Sequence, residues 1–293
     1  MDRRIETKVS RTAEFTCFAR TLSYLEKREP YKSGDYISLI IVNSLIKLLI
    51  KIPPVRNMFI RMQPAGMYEY VIARTKFIDM EFQKAMREGV EQVLIFGAGF
   101  DSRSIRFRQI SGNARIFELD VPVTQNAKIK RYKEKGINIP ENLTFIPIDF
   151  DRESIPEKLL ESGFKKGMKS LFILEGLTMY LQPSSVEETF KIIQEFAGGG
   201  SKVVFDHIYA SVLRGENLYE GEKELCRSVS GSNEGFCFGI EKGTTNEFLS
   251  SYGFDALRII DSNALEDMFF KDEQGKPLAR VNGTHCIVTA VKK

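Results

Sequence analysis

Three carboxylates and one glycine turn carry most of the chemistry legible in this chain. Gly97-Ala98-Gly99-Phe100-Asp101-Ser102 follows directly on an apolar run, Val93-Leu-Ile-Phe96. The first glycine permits a tight turn, and the second lets a ligand approach the backbone closely. Such a turn also serves as a plain strand-to-helix connection. Asp120 closes a second run, Ala114-Arg-Ile-Phe-Glu-Leu-Asp120, 21 residues after Gly99. An acid about 20 residues beyond the turn is placed to accept from ribose hydroxyls. Val121-Pro122 stops the run there, and Glu118, on the same face of the strand, competes for the role. Asp149 closes a third run. It could accept from an adenine amino group while Phe150 packs on the ring, or simply begin a helix. Glu175 ends a fourth run, within Leu174-Glu-Gly-Leu-Thr-Met-Tyr180. It could hold an ammonium, orient a substrate, or serve as a structural carboxylate.

The turn discriminates between ligands. A pyrophosphate wants a third glycine at position 102, where helix and strand pack around it. Ser102 stands there, which disfavours a nicotinamide dinucleotide and costs nothing to an adenosine ligand without a pyrophosphate.

Bases and cations are fewer. The chain holds two histidines. His207 follows the fifth run and is the candidate general base at the site rim; His285, in Gly-Thr-His-Cys, reads as structural. Tyr180 and Tyr209 could position an acceptor oxygen. Arg74, ahead of the first run, could grip a carboxylate bidentately, but residue type alone does not separate it from Arg61 or Arg103.

The elements that must position these groups follow from pattern. Lys202-Val-Val-Phe-Asp206 is a fifth apolar run, and helical segments at Val123–Lys135 and Ser184–Ala197 fill the gaps. The second of these has Ser184 as its expected N-cap. Strands alternating with helices predict a doubly wound, mostly parallel sheet of the α/β class, with ligands beyond the carboxyl ends of the strands. A helix at Thr244–Tyr252, a strand at Phe254–Ile260 and a last strand at His285–Val291 close the chain. Residues 271–283 look like a hairpin connection, a departure from dinucleotide-binding folds. Ahead of the sheet, residues 1–60 look helical and a lead-in helix is expected over Tyr68–Glu88. Residues 1–88 are therefore assigned to an N-terminal helical cap with its lead-in helix, and 89–293 to the core. The polar, glycine-rich stretch 206–240 is assigned to a lid.

Composition bounds the rest. The 293 residues are 43% hydrophobic and 28% charged, enough for one sizeable core. A net charge of +3 gives no footprint for nucleic acid. The four cysteines, Cys17, Cys226, Cys237 and Cys286, have no zinc or disulfide spacing and suit a reducing cytoplasm. The first residues lack the apolar core of a signal peptide. The apolar stretch Tyr36–Ile52 spans 17 residues, short of the roughly 20 a membrane helix needs. It is expected to be a buried or capping helix, without stable membrane association.

Taken together, the pieces resemble the leucine carboxyl methyltransferase family, class I S-adenosylmethionine-dependent enzymes that include polyketide O-methyltransferases of the tetracenomycin type. The resemblance covers nearly the whole chain. It rests on Arg74-Thr75, Val93-Leu-Ile-Phe-Gly-Ala-Gly-Phe-Asp-Ser-Arg103, Phe117-Glu-Leu-Asp-Val-Pro122, Pro147-Ile-Asp-Phe150, Leu174-Glu-Gly-Leu-Thr-Met-Tyr-Leu181 and Glu234-Gly-Phe-Cys-Phe-Gly239. It implies a seven-stranded Rossmann-like sheet with S-adenosyl-L-methionine as cofactor. Gly97, Ala98 and Gly99, with Asp101, would line its methionine part. Asp120 and Val121 would hold the ribose, Asp149 and Phe150 the adenine, Arg74 the carboxylate, and Glu175 and Gly176 the amino group. Residues 1–60 would lie over the cofactor, with Arg20 as a basic contact.

The family's Asp-Pro-Tyr near the cap is Gly34-Asp35-Tyr36 here, and its Glu-Pro-Phe-x-Phe-Gly is Glu234-Gly235-Phe236-Cys237-Phe238-Gly239. Both departures bear on the acceptor rather than the cofactor. The expected activity is methyl transfer to a carboxylate or hydroxyl of a small molecule, although a protein C-terminus would also fit. The alternatives are a nicotinamide-dependent oxidoreductase and a non-catalytic scaffold; the retained turn and rim acids speak against the latter.

Overall fold

The computed structural model describes residues 8–150, 152–230 and 235–293. Glu234 of the last motif and residues 1–7 of the N-terminal reading lie outside the described residues. Five helices open the chain: α1 (Arg11–Tyr24), α2 (Tyr36–Ile41), α3 (Ser44–Leu49), α4 (Pro53–Arg61) and α5 (Met67–Arg87). Strands and helices then alternate: β1 (Gln92–Phe96), α6 (Arg103–Arg106), β2 (Arg115–Asp120), α7 (Pro122–Glu134), β3 (Leu143–Pro147), α8 (Ile155–Glu161), β4 (Ser170–Leu174), α9 (Pro183–Phe196) and β5 (Lys202–Ile208). The chain closes with α10 (Ala210–Leu213), α11 (Glu222–Ser230), α12 (Thr245–Ser250), β6 (Phe254–Ile260), α13 (Ser262–Phe269) and β7 (His285–Lys292).

Among the described residues, seven strands form one sheet in the order β3-β2-β1-β4-β5-β7-β6. The five strands from β3 to β5 are parallel, and β7 runs antiparallel between β5 and β6. The expected α/β class and mostly parallel seven-stranded sheet are what the molecule has.

The sequence explains the layering. Every residue of β1 is buried, as a central parallel strand requires. Leu94 and Phe96 point to one face, against Leu159 of α8 and Phe190 of α9. Val93 and Ile95 point to the other, against Phe77, Ile78 and Phe82 of α5 and Leu265 of α13. The period of two thus feeds two helical layers. Strand order reverses between β1 and β4, which pair Phe96 with Leu174. A crevice opens beyond the carboxyl ends of strands at such a point.

Several local expectations are corrected. The stretch Tyr36–Ile52 is two short helices rather than one. Val42 is extended, and the Asn43 side chain accepts from Leu45 N at 2.9 Å to cap α3. Leu45, Leu48 and Ile52 are exposed, so this is not a buried helix. Helix α9 begins at Pro183, and Gln182 rather than Ser184 is its N-cap. Strand β5 runs on to Ile208, because Asp206, His207 and Ile208 pair with Ile287, Cys286 and His285 of β7. Strands β6 and β7 close the sheet as the expected antiparallel pair, but α13 lies in the connection between them, and within 271–283 a bridge joins Lys271 to Pro277.

Candidate active site

The crevice at the ends of β1 and β4 forms a cavity with the glycine turn along one wall. Gly97 and Gly99 take φ of +56° and +49°, the left-handed region that costs an L side chain about 1–2 kcal/mol. Space is also closed: a Cβ on Gly99 would stand 3.0 Å from Cβ of Ala13, on α1. The N-terminal helix therefore packs directly onto the turn. Ser10, Thr16 and Arg20 bring its side of the cavity. Ser10 N donates to Thr124 Oγ1 at 3.2 Å, and Glu14 pairs with Arg131, fastening α1 to α7.

Asp120 lines the cavity with both carboxylate oxygens held by backbone. Gly99 N donates to Oδ2, and Val121 N donates to Oδ1 at 2.7 Å. Burial raises its pKa against the pull of those two amides. Glu118, the rival, is fully buried elsewhere: Lys128 Nζ meets its Oε2 at 2.5 Å and Ser104 Oγ donates to Oε1 at 3.0 Å. Placement separates the two acids: Asp120 lines the cavity, and Glu118 is committed to Lys128 of α7.

Glu175, directly after β4, is held between two arginines. Arg74 Nε donates to Oε1 at 3.1 Å and Arg103 Nη1 to Oε2 at 2.7 Å. Burial pushes this carboxyl up, but Arg103 and Arg74 outweigh it and hold it down at about 2. Arg74 also donates to Asp206 Oδ2 at 2.7 Å, and Gly176 N donates to Asp206 Oδ1 at 2.6 Å. Tyr70 OH donates to the same Asp206 Oδ2 at 2.8 Å. Arg103 further meets Asp79 and Asp101, while Arg106 meets Asp79. Arg20 Nε donates to Asp35 Oδ2 at 2.8 Å, and Ser102 Oγ to Asp35 Oδ1 at 2.8 Å. The result is one buried network of four guanidiniums and five carboxylates around the cavity, with Asp120 as a further acid held by amides.

Most of the residues singled out in the sequence meet here. Arg74, Gly97, Ala98, Gly99, Asp101, Asp120, Val121, Phe150, Glu175, Gly176 and Tyr180 all line the cavity. Asp149 does not. It turns outward beside Arg152 at 3.6 Å, near the start of α8, while Phe150 stays at the cavity edge, 44% exposed. His207 is not at the rim. It is fully buried within β5, with Nδ1 2.9 Å from the Ile208 carbonyl oxygen, and burial lowers its pKa to about 4. Tyr209 is buried against Tyr219, with ring centroids 4.8 Å apart, and also lies off the cavity. His285 is structural in placement, its ring tilted at 31° against Tyr70 with centroids 4.2 Å apart.

Sequence reasoning missed Asp206, Tyr70, Asp79 and Asp35. The one available signal was an acid inside an otherwise apolar strand, at Asp206, opposite an arginine on the long helix before β1. The family model for leucine carboxyl methyltransferases matches residues 16–194, well over half of the chain. The chain belongs to the leucine carboxyl methyltransferase family.

Relatives agree. The Bacillus subtilis (strain 168) protein named "Putative S-adenosyl-L-methionine-dependent methyltransferase YktD" is 25% identical over 224 residues, covering 76% of this chain and 72% of that protein. A Mycobacteroides abscessus relative of the same description is 32% identical over 188 residues, covering 64% of this chain and 62% of its own length. Matches to further mycobacterial relatives span about half of their length or less, as in one of which 44% is covered. A crystal structure of a duf574 family protein from Streptomyces avermitilis shares the fold, with a TM-score of 0.59 over 94% of this chain and 97% of that one, at 12% identity. This leucine carboxyl methyltransferase family member is an S-adenosylmethionine-dependent methyltransferase, and the nicotinamide alternative falls with the family assignment.

Proposed function

We propose that the enzyme transfers the methyl group to an oxygen of a small molecule, a carboxylate in preference to a hydroxyl. The observation that carries this is the placement of His207. With that residue sealed inside β5, the cavity contains no histidine, and its acids Asp101, Asp120 and Glu175 are all engaged as acceptors. A hydroxyl acceptor needs a base to take its proton. A carboxylate is already an anionic nucleophile and needs none.

The residues fit the cofactor. The glycine turn lines the cavity with bare backbone where a side chain would crowd Ala13 or Leu177, and Asp120 presents a carboxylate beside it for ribose hydroxyls. Phe150 supplies an apolar face for adenine. Arg20 and Arg74 are the cationic groups for the cofactor carboxylate, and Glu175 is the anionic partner for its ammonium. The surplus of carboxylates over guanidiniums suits a ligand bearing both an ammonium and a sulfonium.

Held there by Arg20, Arg74, Asp120 and Glu175, the cofactor would supply an activated methyl on sulfur for an acceptor oxygen, with S-adenosylhomocysteine as the leaving product. The protein's part is alignment and exclusion of water. Helix α1 roofs the turn, the network around Glu175 fixes the floor, and Tyr180, Leu177 and Leu181 flank the acceptor side. Tyr180 packs on Phe236 of the 206–240 segment at 5.5 Å, so that segment shapes acceptor choice.

The test is transfer from methyl-labelled cofactor to panels of carboxylic acids and of phenols, followed by mild alkali. Methyl esters release labelled methanol and methyl ethers do not. Label that survives alkali on a phenol, or that appears on nitrogen, overturns the carboxylate assignment.

A further inference from the structure

The N-terminal helices carry a surface that the methyl-transfer site does not use. On α3, Leu45, Leu48 and Leu49 follow the i, i+3, i+4 spacing of one helix face. Leu45 and Leu48 are 68% and 63% exposed. Ile52 lies exposed at the turn into α4, where Met58 and Met62 rim a shallow groove with Pro53 and Pro54; Met62 is 73% exposed. The opposite side of α4 is the packed one. Phe59 meets Phe18 edge-on at 5.3 Å, and Arg56 donates to the Leu25 carbonyl at 3.1 Å. The outward apolar side chains are therefore not misplaced core.

Charge on this surface is one-sided. Between Asp35 and Glu69 the chain has Lys47, Lys51, Arg56 and Arg61 and no acidic residue. Lys51 and Arg61 stand exposed among the apolar side chains, with Lys47 half-buried beside them. Apolar side chains that enter an acyl boundary, ringed by cations that meet acidic headgroups, are the pattern of an interfacial helix pair. No helix among the described residues is long and apolar enough to cross a membrane, so the contact would be in the plane of the surface. A second copy is a poorer occupant, because two such faces would bring cation against cation with no carboxylate between them.

We propose that α3 and α4 dock the protein on an anionic lipid bilayer. This departs from the expectation of no stable membrane association, which assumed that Tyr36–Ile52 was packed away. The docked surface is tied to the site: Asp35, whose carboxylate takes Arg20 and Ser102 in the cavity network, is the N-cap of α2, and only Val42 and Asn43 separate α2 from α3.

Flotation of the full chain with vesicles tests this, using phosphatidylcholine alone and phosphatidylcholine mixed with phosphatidylglycerol. Binding is expected only to the mixed vesicles and is expected to weaken as salt is raised. Lys47→Gln/Lys51→Gln/Arg61→Gln should weaken it on the order of 100-fold, at about fivefold per positive charge removed. Leu45→Ser/Leu48→Ser/Met62→Ser should abolish it with an unchanged melting temperature, since these side chains are exposed. Should that variant unfold, the charge variant alone decides. Absence of binding to the mixed vesicles, equal binding to both vesicle types, or binding untouched by the charge variant overturns the proposal. So does sedimentation as a dimer that the leucine variant converts to monomer.

Discussion

Glu175 accepts from Arg103 Nη1 at 2.7 Å, joining the segment after β4 to the turn after β1 across the point where strand order reverses. Arg74 takes the other oxygen of the same carboxylate, so the floor of the cavity is a charge network and not a packed apolar surface. Glu175→Gln would leave two buried guanidiniums short of a charge. Breaking a buried pair from one side costs about 3–5 kcal/mol. We expect a loss of that order in urea unfolding, together with a raised KM for S-adenosylmethionine. An unchanged KM would remove Glu175 from the cofactor's surroundings.

Stability should fall in two steps as pH is lowered. The His207 pKa is lowered by burial from 6.5 to about 4, so the unfolded chain takes that proton first and stability is lost as pH falls from 6.5 to 4. His285, held well below its ordinary value by burial and by Arg74 and His207, acts in the same direction. Glu175 is held at about 2 against an ordinary 4.5, so its contribution is complete above 4.5 and is lost as pH falls towards 2. Melting temperatures recorded across this range should decline from below 6.5. His207→Leu should flatten the upper step, and Glu175→Gln the lower one. A melting temperature constant between 6.5 and 4 would contradict the burial of both histidines.

His207→Leu also bears on chemistry. A general base is worth roughly 10²–10⁴-fold in rate. Because His207 lies within β5 and off the cavity, the variant should retain a turnover well above that loss, even if it melts earlier. A fall of several hundredfold at full folding would return the base role to His207.

Gly99→Ala places a side chain where φ is +49° and Ala13 Cβ is 3.0 Å away. Backbone strain of about 1–2 kcal/mol is expected, with α1 pushed off the turn. Cofactor affinity should fall by more than stability does, measured by titration calorimetry beside urea unfolding. Wild-type affinity would show that the turn does not contact the ligand.

The sheet and the turn were legible because parallel strands buried on both faces read as unbroken apolar runs, and their carboxyl ends are marked by Gly97, Asp120 and Glu175. What followed from long-range partnership was not. By sequence β5 ends at Asp206, which would put His207 at the rim; Arg74 and Tyr70 satisfy that acid within the strand, and His207 stays inside it. The break between α2 and α3 depends on Asn43 turning back to cap Leu45, a local choice that the apolar composition of the stretch concealed. Asp35 shows in the sequence only as part of a departure from the family's Asp-Pro-Tyr; its contacts with Arg20 and Ser102 are hidden, since these partners lie 15 and 67 residues away.

We infer that Asp120, held by the amides of Gly99 and Val121, faces an adenosyl ligand at the glycine turn. Thermal melting with S-adenosylmethionine, S-adenosylhomocysteine, NAD or NADP, with Asp120→Ala alongside, is the decisive experiment. A ligand at 100 times its Kd adds about 2.7 kcal/mol of stability. A clear upward shift is expected with the two adenosyl ligands alone, lost in folded Asp120→Ala. An equal shift in that variant, or a shift with NAD or NADP instead, would contradict it.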